Sequence, residues 1–151
     1  MAQILPKLIS LGTAVPPHRI TQADVLSILA EAKGQALPPR MAEILGNTGI
    51  SQRHIAMPPE YYFSARSWAG RAQVYENTAA QMFEAAAVQA LARAGVKAAD
   101  IGQIVFVSTT GTMTPSLPSR MIASMGFAPD TRCVPLFGYG CAGGVIGLGV
   151  A

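Results

Sequence analysis

The chain has 151 residues, enough for one folded core. Its formal net charge of +3 is scattered over 11 Lys and Arg against 8 Asp and Glu, a pattern that argues against a nucleic-acid face and leaves room for an anionic small ligand. Half of the residues are hydrophobic and only 13% are charged, far below the ~25% of an ordinary soluble domain, so much of the surface is expected to be covered by further polypeptide or a partner.

The two cysteines, Cys133 and Cys141, are too few for a disulfide scaffold and lack metal-ligand spacing. The opening Met1-Ala-Gln-Ile-Leu-Pro-Lys7 has no basic leader, and Pro6 and Lys7 break its apolar run, so it does not read as a signal peptide. A reduced, cytoplasmic protein is the default expectation.

In chain order, Ile4 to Gly12 reads as a buried strand ending in the turn Ala14-Val-Pro-Pro-His18. Thr21 then caps a helix, with Asp24 three residues on completing a capping box. Val25, Leu26, Ile28, Leu29 and Ala32 form its apolar stripe, and Gly34 stops it. Pro38-Pro39 opens a short helix over residues 40–45. Ile50 to Met57 reads as extended, with Pro58-Pro59 ending it. His18 and His54 have no carboxylate or thiol at a useful spacing and are expected to be solvated. Tyr61, Tyr62, Phe63 and Trp68 are read as core cover before pocket lining.

Residues 75–94 give the clearest helix. Ala79, Met82, Phe83, Ala86, Ala90 and Leu91 share one face, and Gly95 ends it. Residues 101–108 have the near-continuous apolar pattern of a strand buried on both faces. Thr109-Thr-Gly-Thr-Met-Thr-Pro115 is a hydroxyl-rich loop at its carboxyl end, where active-site groups of open α/β sheets gather; a plain turn is the competing reading. A helix over 116–125, with Pro118 in its first turn and Gly126 after it, leads to a strand over 131–137.

That strand delivers Cys141, flanked by Gly138, Gly140, Gly143 and Gly144 and followed by an apolar helix-length run. A strand, a sharp glycine turn and a helix hold a side chain out at the junction. A helix N-terminus favours a thiolate and supplies N–H groups suited to an oxyanion. Cys141 is thus placed to accept an acyl group. The residues alone leave a second reading open, a small buried hydrophobe packed among glycines. Residues 134–151 are uncharged and contain two GxxxG spacings, but Pro135 and six glycines argue for a buried helix of a large soluble core, with no integral membrane segment.

The element order, with strands alternating with helices, gives α/β with mostly parallel strands. About three strands are visible, thin for such a sheet.

Four stretches carry a resemblance: Leu8-Ile-Ser-Leu-Gly-Thr-Ala-Val-Pro16, Thr48-Gly-Ile-Ser-Gln-Arg53, Ser108-Thr-Thr-Gly-Thr-Met-Thr-Pro-Ser116 and Phe137-Gly-Tyr-Gly-Cys-Ala-Gly-Gly144. In this order they resemble the N-terminal part of a bacterial type III polyketide synthase, the chalcone synthase-like branch of the thiolase fold. The resemblance implies a thiolase-like layered α/β/α domain over 1–151, ending just after the nucleophile elbow, with the C-terminal domain outside this chain. It implies a cytoplasmic homodimer that loads acyl-CoA on Cys141, decarboxylates malonyl-CoA, condenses and cyclises the product to a pyrone or phenolic ring. No cofactor, metal or carrier protein is implied.

Thr109 and Thr110 become pocket residues on this reading. The position of a plant-type methionine that reaches the partner subunit is Thr114 here. Of three basic residues that hold the coenzyme A phosphates in plant members, only Arg40 has a match; the later two positions are Glu43 and Asn47. The family's catalytic histidine and asparagine fall beyond Ala151, so these 151 residues alone are expected to make no polyketide. A fatty acyl starter and an alkylpyrone or alkylresorcinol product are the favoured specifics. A ketoacyl synthase III-like condensing enzyme and a non-catalytic interaction module are the alternatives.

Overall fold

The computed structural model describes residues 6–151, the side chain of Ala32 excepted. The chain forms two compact units, Val15–Val74 and the combination of Met1–Ala14 with Tyr75–Ala151.

In the unit Val15–Val74, strand β1 (His18–Thr21) pairs antiparallel with β2 (Gln52–Ile55), His18 opposite Ile55 and Thr21 opposite Gln52. Helix α1 (Gln22–Lys33) starts directly from β1. The Thr21 hydroxyl accepts from the Asp24 N–H at 3.1 Å, and the Asp24 carboxylate accepts from the Thr21 N–H at 2.6 Å, so two otherwise unpaired donors are satisfied as the capping box requires. Hydrogen bonding from the Thr21 N–H first, and then from the Thr21 side chain, holds the Asp24 carboxyl below its ordinary value. Gly34, at φ +63°, closes the helix. Val25, Leu26, Ile28 and Leu29 are half-buried as the stripe requires; Ala32 lies outside the described residues.

Helix α2 (Pro39–Gly46) follows. The Gln22 amide ties the two helical segments together by donating to the Leu45 carbonyl while its oxygen accepts from Arg53. His54 is half-buried, not solvated: its Nδ1 lies 3.0 Å from the Pro16 carbonyl, which accepts only, so Nδ1 carries the proton. A 3₁₀ turn, Pro59–Phe63, stacks Tyr61 edge-on against Tyr62 and sets Arg66 over the Tyr61 ring, whereas Trp68 stays 76% exposed and covers no core in this chain.

Helix α3 (Trp68–Ala94) contributes its residues from Tyr75 onward to the other unit. Its apolar face meets strand β3 (Gln103–Ser108), where Phe83 and Phe106 pack edge to face at 6.1 Å. β3 pairs in parallel with β4 (Arg132–Phe137), Gln103 opposite Arg132 and Ser108 opposite Phe137. Helix α4 (Leu117–Met125) connects them and ends at Gly126. Its Leu117 and Pro118, with Phe127 beyond, are the most deeply buried apolar side chains among the described residues of the unit. Thr131, also buried, donates to the Ile101 carbonyl at 2.9 Å and fixes the entry to β4. Pro135 has no N–H for a second neighbour, which suits β4 to an edge. Helix α5 (Gly143–Val150) completes the unit.

Two further expectations are corrected. The described part of Ile4–Gly12 is not a strand: among the described residues no neighbour completes a ladder with it. It is held to α3 by side chains instead. Ser10 donates to the Ala90 carbonyl at 2.7 Å, Gln89 to the Thr13 carbonyl at 3.0 Å and Arg93 to the Leu11 carbonyl. Ile4 and Leu5 lie outside the described residues. The mostly parallel sheet is, among the described residues, two two-stranded sheets, one antiparallel and one parallel. β1 went unread because His18-Arg-Ile-Thr21 buries a single side chain, Ile20, so no alternation marks it.

Candidate active site

The elbow is built from backbone angles that only glycine adopts freely. After Phe137 the chain passes through Gly138 at φ +90° and Gly140 at φ +52°. A 3₁₀ turn, Gly140–Ala142, carries Cys141 and runs into α5. Cys141 is exposed, whereas Cys133 on β4 is half-buried. In this chain Cys141 is not packed as a buried hydrophobe. The Ala142 N–H donates to the Tyr139 carbonyl at 3.2 Å and the Gly143 N–H to the Gly140 carbonyl. These two amides are therefore spent on shaping the turn, and neither serves as an oxyanion donor in this conformation.

α5 lies on β3 because it has glycines where they meet. A Cβ on Gly143 would fall 2.6 Å from Val107 Cγ1, and one on Gly147 would fall 2.7 Å from Val107 Cγ2. Gly144 differs: a Cβ there meets nothing within 4 Å. The glycine spacing that resembles a membrane motif thus seats a short helix on a strand. Among the described residues no helix is long and apolar enough to cross a membrane.

At the carboxyl end of β3, Thr109 and Thr110 are exposed and line an open cavity of about 510 Å³. Its walls are Ala79, Met82, Phe83 and Ala86 of α3 with Phe106 and Val107 of β3, and Thr13, Tyr75 and Ser108 add hydroxyls. Apolar walls with a few polar groups are the usual make-up of a small-molecule site. A smaller pocket of about 50 Å³ lies on the other side of the loop, bounded by Gly111, Thr112, Met113 and the Pro135–Phe137 segment. Tyr75, Phe106 and Ser108 border both.

Of the residues expected in the site, the structure brings Thr109 and Thr110 together in the larger cavity. Thr114, which precedes a cis peptide bond to Pro115, is exposed and borders neither cavity, and Cys141 borders neither. Arg40 is exposed in the first turn of α2, in the Val15–Val74 unit. Sequence reasoning missed Tyr75. The signal was present: it is an aromatic residue with a hydroxyl at the start of an alanine-rich helix face. Among the described residues no group of three or more His, Cys, Asp or Glu side chains is placed to hold a metal ion.

The match to known proteins covers almost the whole chain. The family model for chalcone and stilbene synthases, N-terminal domain, matches residues 2–151. The 1,3,6,8-tetrahydroxynaphthalene synthase of Streptomyces peucetius subsp. caesius is 35% identical over 139 residues, which are 91% of this chain and 37% of that protein. The crystal structure of 1,3,6,8-tetrahydroxynaphthalene synthase from Streptomyces coelicolor A3(2), a bacterial type III polyketide synthase, aligns with a TM-score of 0.85 at 34% identity, over 93% of this chain and 42% of that one. CsyB, solved in complex with CoA-SH, shares the fold at 20% identity with a TM-score of 0.80, over 94% of this chain and 39% of its own. The chain spans about two-fifths of the length of these relatives. With its α/β elbow and the cysteine exposed on it, the chain belongs to the chalcone and stilbene synthase family, as a thiolase-like N-terminal domain homologous to bacterial type III polyketide synthases.

Proposed function

We propose that Cys141 is the acyl-accepting nucleophile of a decarboxylative condensing enzyme, a type III polyketide synthase. The observation that carries this is its exposure on a glycine turn between β4 and α5 in a chain of this family. The Cys141 thiolate attacks the carbonyl of an acyl-CoA, the C–S bond to coenzyme A breaks, and the CoA thiolate leaves. Malonyl-CoA then loses CO₂. The resulting enolate carbon attacks the acyl-Cys141 thioester, a C–C bond forms, and the Cys141 thiolate is released for the next round. The chain cyclises to a pyrone or a resorcinol-type ring.

Thr109 and Thr110 line the acyl pocket on this reading, with Thr114 further along the same loop. Arg40, exposed and cationic, contacts a coenzyme A phosphate. The CoA-SH bound to CsyB supports a coenzyme A thioester as substrate. The working form is a cytoplasmic homodimer, completed by a C-terminal half that supplies the histidine and asparagine for decarboxylation.

The test is intact mass of the purified protein before and after incubation with a long-chain acyl-CoA. An acyl adduct that disappears in Cys141→Ala is expected. If no adduct forms with long-chain, short-chain or aromatic acyl-CoA on the protein at the length of its relatives, the proposal fails.

A further inference from the structure

The hydroxyl-rich loop is not a free turn. Ser108, the last residue of β3, donates through Oγ to the Gly111 carbonyl at 2.6 Å, closing the loop on the strand. Its single proton is spent there, so the Tyr75 hydroxyl, 2.7 Å from Ser108 Oγ, is the donor of the second bond. The relay therefore has one direction: Tyr75 to Ser108 to Gly111. The same tyrosine grips the loop a second way. A Cβ on Gly111 would sit 2.5 Å from Tyr75 Cγ and 2.6 Å from both Cδ atoms, so the Gly111 backbone rests on the face of the ring.

Tyr75 also forms part of the border between the cavity of about 510 Å³ and the pocket of about 50 Å³. Of the three residues common to both, Phe106 is fixed in the β-ladder opposite Pro135, and Ser108 is small. Tyr75 is the one large group on the helix side. Thr109 and Thr110 lie between the two anchor points of the relay, Ser108 and Gly111.

We propose that Tyr75 is a positioning residue: through Ser108 and Gly111 it sets where the Thr109 and Thr110 hydroxyls face the larger cavity, and so which acyl chains that cavity accepts. The selectivity half rests on the acyl-thioester reading above; the hydrogen-bond relay does not. It predicts that loss of the Ser108 hydroxyl frees the loop, and that loss of the Tyr75 hydroxyl releases the ring on which Gly111 rests, in both cases without disturbing α3 or β3. It also predicts that a hydroxyl returned at position 108 by threonine restores it.

Two measurements test this on Tyr75→Phe, Ser108→Ala and Ser108→Thr. The first is the NMR shift of the Gly111 α-protons, which the face of the Tyr75 ring moves upfield. That upfield shift is expected to collapse in Tyr75→Phe and Ser108→Ala and to persist in Ser108→Thr, with the amide shifts of α3 and β3 unchanged. An upfield shift retained in both deletions overturns the relay, as does loss of order across the whole unit.

The second is acylation kinetics at Cys141, using the protein at the length of its relatives and acyl-CoAs of graded chain length. For the chain length best used by the parent, KM in Tyr75→Phe is expected to rise about threefold to tenfold more than kcat falls, the range of one net hydrogen bond. Chain-length preference shifts with it. Equal KM, kcat and preference in parent and variant overturn the selectivity role. A parent that accepts no acyl-CoA overturns it together with the acyl-thioester reading, and the relay is then decided by the Gly111 shift alone.

Discussion

At the scale of single residues, glycines that look alike in sequence have separable jobs. Gly147 of α5 is pinned against Val107, whose β-branched side chain has little freedom to turn away. Gly147→Ala is expected to destabilise the protein by about 1–3 kcal/mol through overpacking. Gly144, one turn earlier, has open space and an ordinary helical environment. Gly144→Ala is expected to stabilise by roughly 0.5–1 kcal/mol, because alanine loses less backbone freedom on folding. Urea melts of the two variants check both signs. The cysteines divide in the same way. Cys141 on the turn is exposed and Cys133 on the strand is half-buried, so limiting iodoacetamide at neutral pH is expected to label Cys141 first. Peptide mapping decides it; Cys133 labelled first contradicts the exposed elbow. This much was legible in advance, since Gly138, Gly140 and Gly143 around a lone cysteine announce a sharp turn. The contacts of Tyr75 were not, because its partners Ser108 and Gly111 are more than thirty residues away and only the fold makes them neighbours.

At the scale of elements, the helix ends were readable because capping is local chemistry. Thr21 and Asp24 stand three residues apart, and the reciprocal bonds follow from that spacing alone. Thr21→Ala is expected to cost about 1 kcal/mol at neutral pH. Asp24 gives the pH signature. Its folded value is held below the ordinary 3.8 by hydrogen bonds from the Thr21 backbone and side chain. A carboxylate depressed in the folded state contributes stability above its unfolded value and loses it as pH falls through the folded one. The stability gap between the parent and Asp24→Asn is therefore expected to narrow steadily as the pH is lowered below 3.8. Melts at neutral and acid pH measure it, and a gap that widens on acidification contradicts the box. Strands were legible only where burial wrote a pattern. β3 and β4 carry apolar runs; β1 carries one buried isoleucine and finds β2 some thirty residues later. The segment after Pro6 has the apolar sequence of a strand, and among the described residues it lacks the neighbour that makes one. Sequence reports a residue's preference for a sheet, not whether the partner strand is present.

At the scale of the whole molecule, surface area turns the low charge content into an expectation. The accessible surface is 10486 Å². Two separately folded bodies of the units' sizes are expected to expose only about 8,700 Å². The excess is apolar in places that matter: Leu8 is 79% exposed, Ile9 68%, and Val145 and Leu148 of α5 76% each. Patches of this kind mark surfaces that bind other surfaces. Magnitudes set how tightly. Covering Val145 and Leu148 is worth about 3–6 kcal/mol, which reaches only the low end of the ~4–15 kcal/mol lost on association. Covering Leu8 and Ile9 as well brings the gain to about 6–12 kcal/mol, within that range. The 151-residue polypeptide alone is therefore expected to self-associate weakly and to bind a hydrophobic dye. Sedimentation from micromolar to near-millimolar protein reads the first: the average mass rises smoothly above 15.7 kDa with concentration. Lysine at either pair, Val145 with Leu148 or Leu8 with Ile9, is expected to return it to monomer, because one pair alone reaches only the low end of the cost of association. A tight complex that survives both double variants places the contact elsewhere. A strict monomer that ignores the dye means that the exposed side chains fold back on one another in solution.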